Sequence, residues 1–168
     1  IEAVYQNMKG VKSVVSGFSG GHKKNPTYYQ VCAGNTGHAE VVQLIYDREV
    51  ISLVEILEVF FTMHDPTTLN RQGADEGEQY RSVIFFRNKE QQRTALAIIK
   101  EINKNKVYEE PIVTAVEPYR NFYPAEDEHQ NYYNRNKEKS YCKYVIQPKL
   151  EKFDKLFKSL KKKEKSAD

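Results

Sequence analysis

Between Glu40 and Phe61 the chain changes its hydrophobic period, and this change constrains the fold more than any other feature. Glu40–Tyr46 (EVVQLIY) is a short, β-branched apolar run that reads as a buried strand. Shortly after it, Ser52 and Glu55 make a capping box. Leu53, Ile56, Leu57, Phe60 and Phe61 then recur at i, i+3, i+4, i+7 and i+8, one face of a helix that His64-Asp65-Pro66 stops. A strand that feeds such a helix has to bury the helix's apolar stripe against a sheet.

The rest of the chain repeats these two kinds of element without a strict βαβ rhythm. A helix is expected over Glu2–Lys9, closed by Gly10, and a strand over Val11–Phe18 that runs into Gly20 and Gly21. Further strands are expected at Ser82–Phe86 and Ile112–Val116. A second amphipathic helix spans Asn88–Asn103, with Ala95, Leu96, Ile99 and Ile102 inward, and a short helix spans Glu126–Asn134. Pro148 suits the first position of a last helix whose apolar face is Leu150, Phe153, Leu156, Phe157 and Leu160. At 168 residues and 39% hydrophobic, this is one α+β domain, a mixed β-sheet with helices packed over it. Residues 1–160 form its body and 161–168 a charged tail.

Charge and cysteine content narrow the function. Lys+Arg number 26 against 23 Asp+Glu, a net +3 gathered near the C-terminus, which argues against a nucleic-acid stripe. Lys149, Lys152, Lys155, Lys158 and Lys161 recur on the last helix and read as a solvated face. No apolar run is long enough to span a membrane. Two cysteines, Cys32 and Cys142, make no disulfide framework and suit a reducing compartment or a redox role; the cytoplasm is the expected setting and a monomer the expected state.

Two polar loops hold the unusual residues. The first, Gly20–Gly37, contains Tyr28 and Cys32 and leads to Glu40; the second, Thr67–Gln79, contains Asp75 between Gly73 and Gly77 and leads to Tyr80. Taken singly, each has an ordinary reading: Glu40 a solvated strand-end charge, Asp75 a turn residue, the tyrosines core residues with satisfied hydroxyls. Taken together, they describe a polar pocket. Glu40, desolvated at a strand start, would hold a proton to donate, and two phenols would bind the same ligand oxygen. Cys142 follows Tyr141 in a Lys-rich stretch and is expected to be accessible. Cys32, between Val31 and Ala33, is expected to be a small buried hydrophobe. A zinc site built from Cys32, His38, Glu40 and His64 matches no common ligand spacing.

The strings GFSGG, NPTY, GHAEV, HDPTTLNRQG, QYRS, YPAEDEHQNY and YC stand in one order from the first loop to Cys142. In that order and spacing the chain resembles the A-type peptide methionine sulfoxide reductases, from Glu2 to about Leu160. The resemblance implies a ferredoxin-like two-layer sandwich and reduction of methionine S-sulfoxide, free or in proteins, through a cysteine sulfenic acid. It casts Glu40 as proton donor to the sulfoxide oxygen, Tyr28 and Tyr80 as hydroxyls that bind it, and Asp75 as the carboxylate organising the polar side. Cys142 becomes the resolving thiol, with a cysteine directly after the family motif's Trp as the rival resolver; thioredoxin is the external reductant, and no metal or organic cofactor is needed. The family motif Gly-Cys-Phe-Trp, two residues, then Glu, fits its last Glu to Glu2. Its nucleophilic cysteine is therefore expected four residues upstream of Ile1, and the chain as given is expected to be inactive; the alternative is a catalytically dead relative that keeps only the substrate-binding pocket.

Overall fold

In the computed structural model, which describes residues 1–164, the longest strands sit side by side. β1 (Val11–Ser19) and β2 (Ala39–Tyr46) pair antiparallel from Val11 opposite Tyr46 to Ser19 opposite Ala39. β7 (Tyr123–Pro124) joins the other edge of β1, so the order is β2-β1-β7. β5 (Val83–Phe86) and β6 (Ala115–Pro118) form a separate parallel pair, and β3 (Arg71–Gln72) with β4 (Asp75–Glu76) a two-residue-per-strand hairpin.

The helices cover one face of β1 and β2. α1 (Glu2–Gln6), α3 (Leu53–Met63) and α6 (Gln147–Leu156) bring Val4, Tyr5, Ile56, Val59, Leu150 and Phe153 into one cluster over Val14, Val42 and Leu44. Phe153 and Val59 are wholly buried, each such side chain contributing roughly 1.5–3 kcal/mol over an exposed one. The Ser52–Glu55 capping box opens α3 as expected. Its second stripe, Leu57 and Phe61, packs with Ala95, Ile98, Ile99 and Ile102 of α4 (Lys89–Lys104) over Ile84 and Val116. α3 therefore serves both strand systems. The result is a mixed α+β domain of sheet and packed helices. Among the described residues no helix is long and apolar enough to cross a membrane.

Several expectations shift. Leu96 is exposed and Ile98 takes its place, because Ala95, Ile98, Ile99 and Ile102 follow one 3.6-residue stripe and Leu96 lies off it. Leu156 is exposed at the end of α6, while Phe157 and Leu160 pack as expected. The strand expected at Ile112–Val116 starts at Ala115, since Asn103 Oδ1 and the Pro66 carbonyl take the Ile112 and Val113 N–H groups. α1 closes at Gln6 rather than Lys9. The helix expected over Glu126–Asn134 splits into a 3₁₀ turn, Asp127–His129, and α5 (Tyr132–Arg135). Gln130 is the cause: its side-chain amide exchanges hydrogen bonds with the backbone N–H and carbonyl of Ser16 at 2.9 and 2.7 Å, holding the chain against β1. The last helix is entered through a π turn, Cys142–Ile146, ahead of Pro148. At the other end the Lys162 N–H donates to the Asn7 carbonyl at 2.7 Å, so the first residues of the tail are pinned to α1. Residues 165–168 of the tail lie outside the described residues.

Candidate active site

The first loop is not wholly irregular. Thr27 caps α2 (Tyr28–Cys32): its hydroxyl accepts the Gln30 N–H at 3.2 Å and the Gln30 side chain accepts the Thr27 N–H at 3.0 Å. Four residues apart on this one-and-a-half-turn helix, Tyr28 and Cys32 share a face. Val31 anchors the helix against Phe18 and Ala125. The Tyr28 ring stacks on His129 at 4.3 Å, and its N–H donates to Glu126 at 3.3 Å.

β2 starts at this place because the chain before it is fastened to β1. His38 Nδ1 accepts the Gly21 N–H at 2.9 Å and its Nε2–H donates to the Lys23 carbonyl at 2.7 Å. Both ring nitrogens are engaged, so His38 offers none to a metal. Gly21 has to be glycine, since a Cβ there would stand 2.4 Å from the backbone of both His38 and Thr36. Glu40, opposite Phe18, follows directly.

The second loop arrives from the other side. Gln72 and Asp75 close a hairpin around Gly73, whose φ of 59° suits the first central residue of a two-residue turn. Glu78–Tyr80 is a 3₁₀ turn, and buried Gln79 donates to the Cys32 carbonyl at 3.5 Å, fastening this loop to α2. Arg81 adds a second tie, donating to the Gly37 carbonyl at 3.0 Å.

Glu40 is the electrostatic centre. Its carboxylate opens onto the cleft, yet the walls around it desolvate the charge, and with Asp75's negative charge close by the pKa rises to about 7. The Tyr80 hydroxyl is pushed up by burial and then by Glu40 and Asp75. The Tyr28 hydroxyl is pushed up by its hydrogen bond with the Cys32 thiol, then by burial, with Glu40 and Tyr80 adding. The four residues singled out in the two loops thus lie close enough for their charges to act on one another. Near pH 7 they present a carboxyl that keeps its proton about half the time and two phenols that stay protonated.

The two cysteines depart from expectation. Cys142 is fully buried, not accessible. It lies in the π turn with exposed Tyr141 and Lys143 on either side; the lysines that suggested an open thiol point outward from a helical segment whose inward position is the cysteine. Cys32 is only half-buried, and its thiol bonds a pocket hydroxyl rather than filling the core.

Three further residues belong to this neighbourhood. Tyr141, next to Cys142, is half-exposed; its hydroxyl pKa is raised by partial burial and then by Asp75 and Glu40, which sets it within electrostatic reach of those carboxylates. His129 backs Tyr28; the run YPAEDEHQNY drew attention to it without indicating a partner. Glu2 accepts from the Ser16 hydroxyl at 2.7 Å and the Tyr132 N–H at 3.1 Å, holding β1 to α5.

On this α+β scaffold two loops bring one carboxylic acid, two phenols and a thiol within electrostatic reach of one another. The chain belongs to the peptide methionine sulfoxide reductase family, whose family model matches residues 1–162; it is an oxidoreductase of that family. It is 53% identical over 156 residues to the peptide methionine sulfoxide reductase MsrA of Saccharolobus solfataricus, covering 93% of this chain and 87% of that one. With the MsrA of Polynucleobacter asymbioticus it shares 51% over 160 residues, 95% of this chain and 84% of the relative. Among solved structures, methionine sulfoxide reductase A of Corynebacterium diphtheriae superposes with a TM-score of 0.77 at 34% identity, covering 81% of this chain and 69% of that one. Mxr1 from Saccharomyces cerevisiae in reduced form gives 0.74 at 35%, covering 79% and 76%.

Proposed function

We propose that this chain forms the catalytic domain of an enzyme that reduces the S epimer of methionine sulfoxide, free or in polypeptides, with a thioredoxin-like dithiol as final reductant. The observation that carries this reading is Glu40, a carboxyl with a pKa of about 7 beside Tyr28 and Tyr80. A thiolate attacks the sulfoxide sulfur. Negative charge builds on the oxygen, which Tyr28 and Tyr80 bind by hydrogen bonds and Glu40 protonates. Desolvation, and then like-charge repulsion from Asp75, keep the Glu40 proton in place. Methionine leaves and the nucleophile remains as a sulfenic acid. The Cys142 thiol then attacks that sulfur, forming a disulfide and releasing water, and the external dithiol reduces the disulfide by exchange.

The nucleophile in this reading comes from a Gly-Cys-Phe-Trp segment four residues upstream of Ile1. Support comes from the fit of Glu2 to the motif and from the state of the two cysteines present: Cys142 is buried and Cys32 is engaged with Tyr28. The same reading takes the fold as a ferredoxin-like two-layer sandwich, supported by α1 and α3 packing on one face of β1 and β2.

The test compares the polypeptide extended upstream through the motif with the chain that starts at Ile1, using separate sulfoxide epimers and dithiothreitol. The extended protein releases methionine from the S epimer only, and the shorter chain releases none. Turnover by the shorter chain would remove the upstream nucleophile; preference for the R epimer would remove the assigned substrate.

A further inference from the structure

Beside the groove that holds Glu40 and Tyr80 the structure has a second cleft, about 570 Å³ in volume. That is within the roughly 300–1,000 Å³ usual for ligand pockets. Thr62, Asp65 and Thr67 line it from the end of α3 and the second loop, and Tyr108, Glu109 and Glu110 line it from the segment after α4. The two depressions meet, since Gln72 and Lys149 line both. Gln72 stands opposite Asp75 in the β3–β4 hairpin, and Asp75 acts on the charges of both Glu40 and Lys149. The second cleft therefore opens directly from the Glu40 site.

The frame of this cleft is already fastened. The Tyr108 hydroxyl donates to the Phe61 carbonyl, and Lys152 Nζ donates to the Thr62 carbonyl at 2.9 Å. Asp65 Oδ1 accepts the Thr67 N–H at 2.9 Å and the Thr67 hydroxyl at 2.6 Å. The Gln72 side chain exchanges hydrogen bonds with the Asp65 backbone at 2.8 and 3.0 Å.

The lining charges are unequally matched. Lys152 is engaged by the carbonyl end of α3, where the helix dipole is negative. Lys149 is half-buried and within electrostatic reach of Asp75. Asp65 is held by Thr67, with Arg71 close enough to act on its charge. Glu109 and Glu110 are exposed and form no ion pair among the described residues. The outer part of the cleft thus presents two carboxylates to an incoming cation. Free methionine sulfoxide bound at Glu40 has no chain to place there, whereas a polypeptide does.

We propose that the second cleft receives the polypeptide on one side of a methionine sulfoxide, and that Glu109 and Glu110 favour a lysine or arginine in that flank. This rests on the reading of the Glu40 site as the sulfoxide site. It names sulfoxides with a basic flanking residue as the preferred polypeptide substrates.

The test is an amide-resolved NMR titration of this chain with short peptides that carry methionine S-sulfoxide in an alanine and glycine background. A single lysine is moved through the positions on either side of the sulfoxide. Lysine on one side only should tighten binding about threefold to tenfold over the lysine-free peptide, and should shift the amides of Glu109 and Glu110. The gain should disappear when Glu109→Gln and Glu110→Gln are combined, and in about 0.5 M salt. An equal gain from both sides, a gain that survives the double substitution, or shifts that leave Glu109 and Glu110 unmoved would overturn the proposal. So would the absence of any binding. Peptides with methionine in place of the sulfoxide separate the two readings. Sulfoxide-dependent shifts at Glu40 and Tyr80 without a lysine gain would keep the sulfoxide site and remove the cleft. A one-sided lysine gain at Glu109 and Glu110 that is the same for methionine would keep the cleft as a basic-peptide site and remove the sulfoxide site.

Discussion

The neighbourhoods of Glu40 and Cys142 carry the two halves of the proposed reaction and are built in opposite ways. Glu40 stands at the mouth of an open cleft, on the first residues of the longest strand pair, among loops tied to one another by Gln79, Arg81 and His38. Nothing has to move for its carboxyl to meet a ligand. Cys142 is wholly buried in a π turn, although its neighbour Tyr141 reaches the same carboxylates. Its thiol meets another sulfur only if that turn opens. On the proposed roles, the oxygen-handling step is preorganised, while the resolving step requires local opening of the turn that buries Cys142.

Three measurements would break or sharpen this contrast. The largest effect is expected at the preformed end. In the extended protein, Glu40→Gln should slow single-turnover release of methionine by about 10²–10⁴-fold, the usual value of a general acid. At the gated end, Cys142→Ser should leave that first turnover near the parent rate and then stall with thioredoxin, while dithiothreitol still supports turnover. Full thioredoxin-dependent turnover by this variant would move the resolving role to another cysteine.

The smallest effect concerns how the frame under the preformed end responds to pH. His64 donates from Nδ1 to the Phe60 carbonyl and accepts at Nε2 from the Ser82 hydroxyl, 2.7 Å away, and burial lowers its pKa to about 4. Folding therefore releases a proton from this histidine between about pH 4 and its ordinary 6.5. The stability it contributes is full above pH 6.5 and is lost as pH falls toward 4. Glu40 works in the opposite sense: with its pKa raised from 4.5 to about 7, it makes the folded state less stable as pH rises through that interval. Thermal melts of His64→Gln should show a smaller fall in Tm between pH 6.5 and 4.5 than the parent. An unchanged fall would remove His64 from the acid response.

Much of the frame was legible because period and capping are local. α3 begins at its capping box, and β1, β2 and α4 lie within a residue or two of their expected bounds. Misplaced boundaries trace to long-range partners that no local pattern encodes, as when Gln130 holds to Ser16 and when the Pro66 carbonyl takes the Val113 N–H. At the site, loop composition marked out Tyr28, Glu40, Asp75 and Tyr80, and the resemblance supplied their roles. The state of the cysteines was not legible. Lysines around Cys142 suggested exposure, but exposure depends on which side of a helical turn meets the core. Apolar neighbours around Cys32 suggested burial, yet its helix turns it toward Tyr28. Tyr141 comes within electrostatic reach of Asp75 and Glu40 only through the path of the whole C-terminal segment.

The central claim is that Glu40 donates the proton from a carboxyl held neutral by its surroundings. The direct measurement is the pH dependence of the single-turnover rate with methionine S-sulfoxide, for the extended protein and its Glu40→Gln variant. The parent rate should fall above about pH 7, approaching tenfold per pH unit as the carboxyl ionises, and the slower variant should lack this limb. A variant that keeps the parent's rate, or that loses activity along the same alkaline limb, would contradict the account.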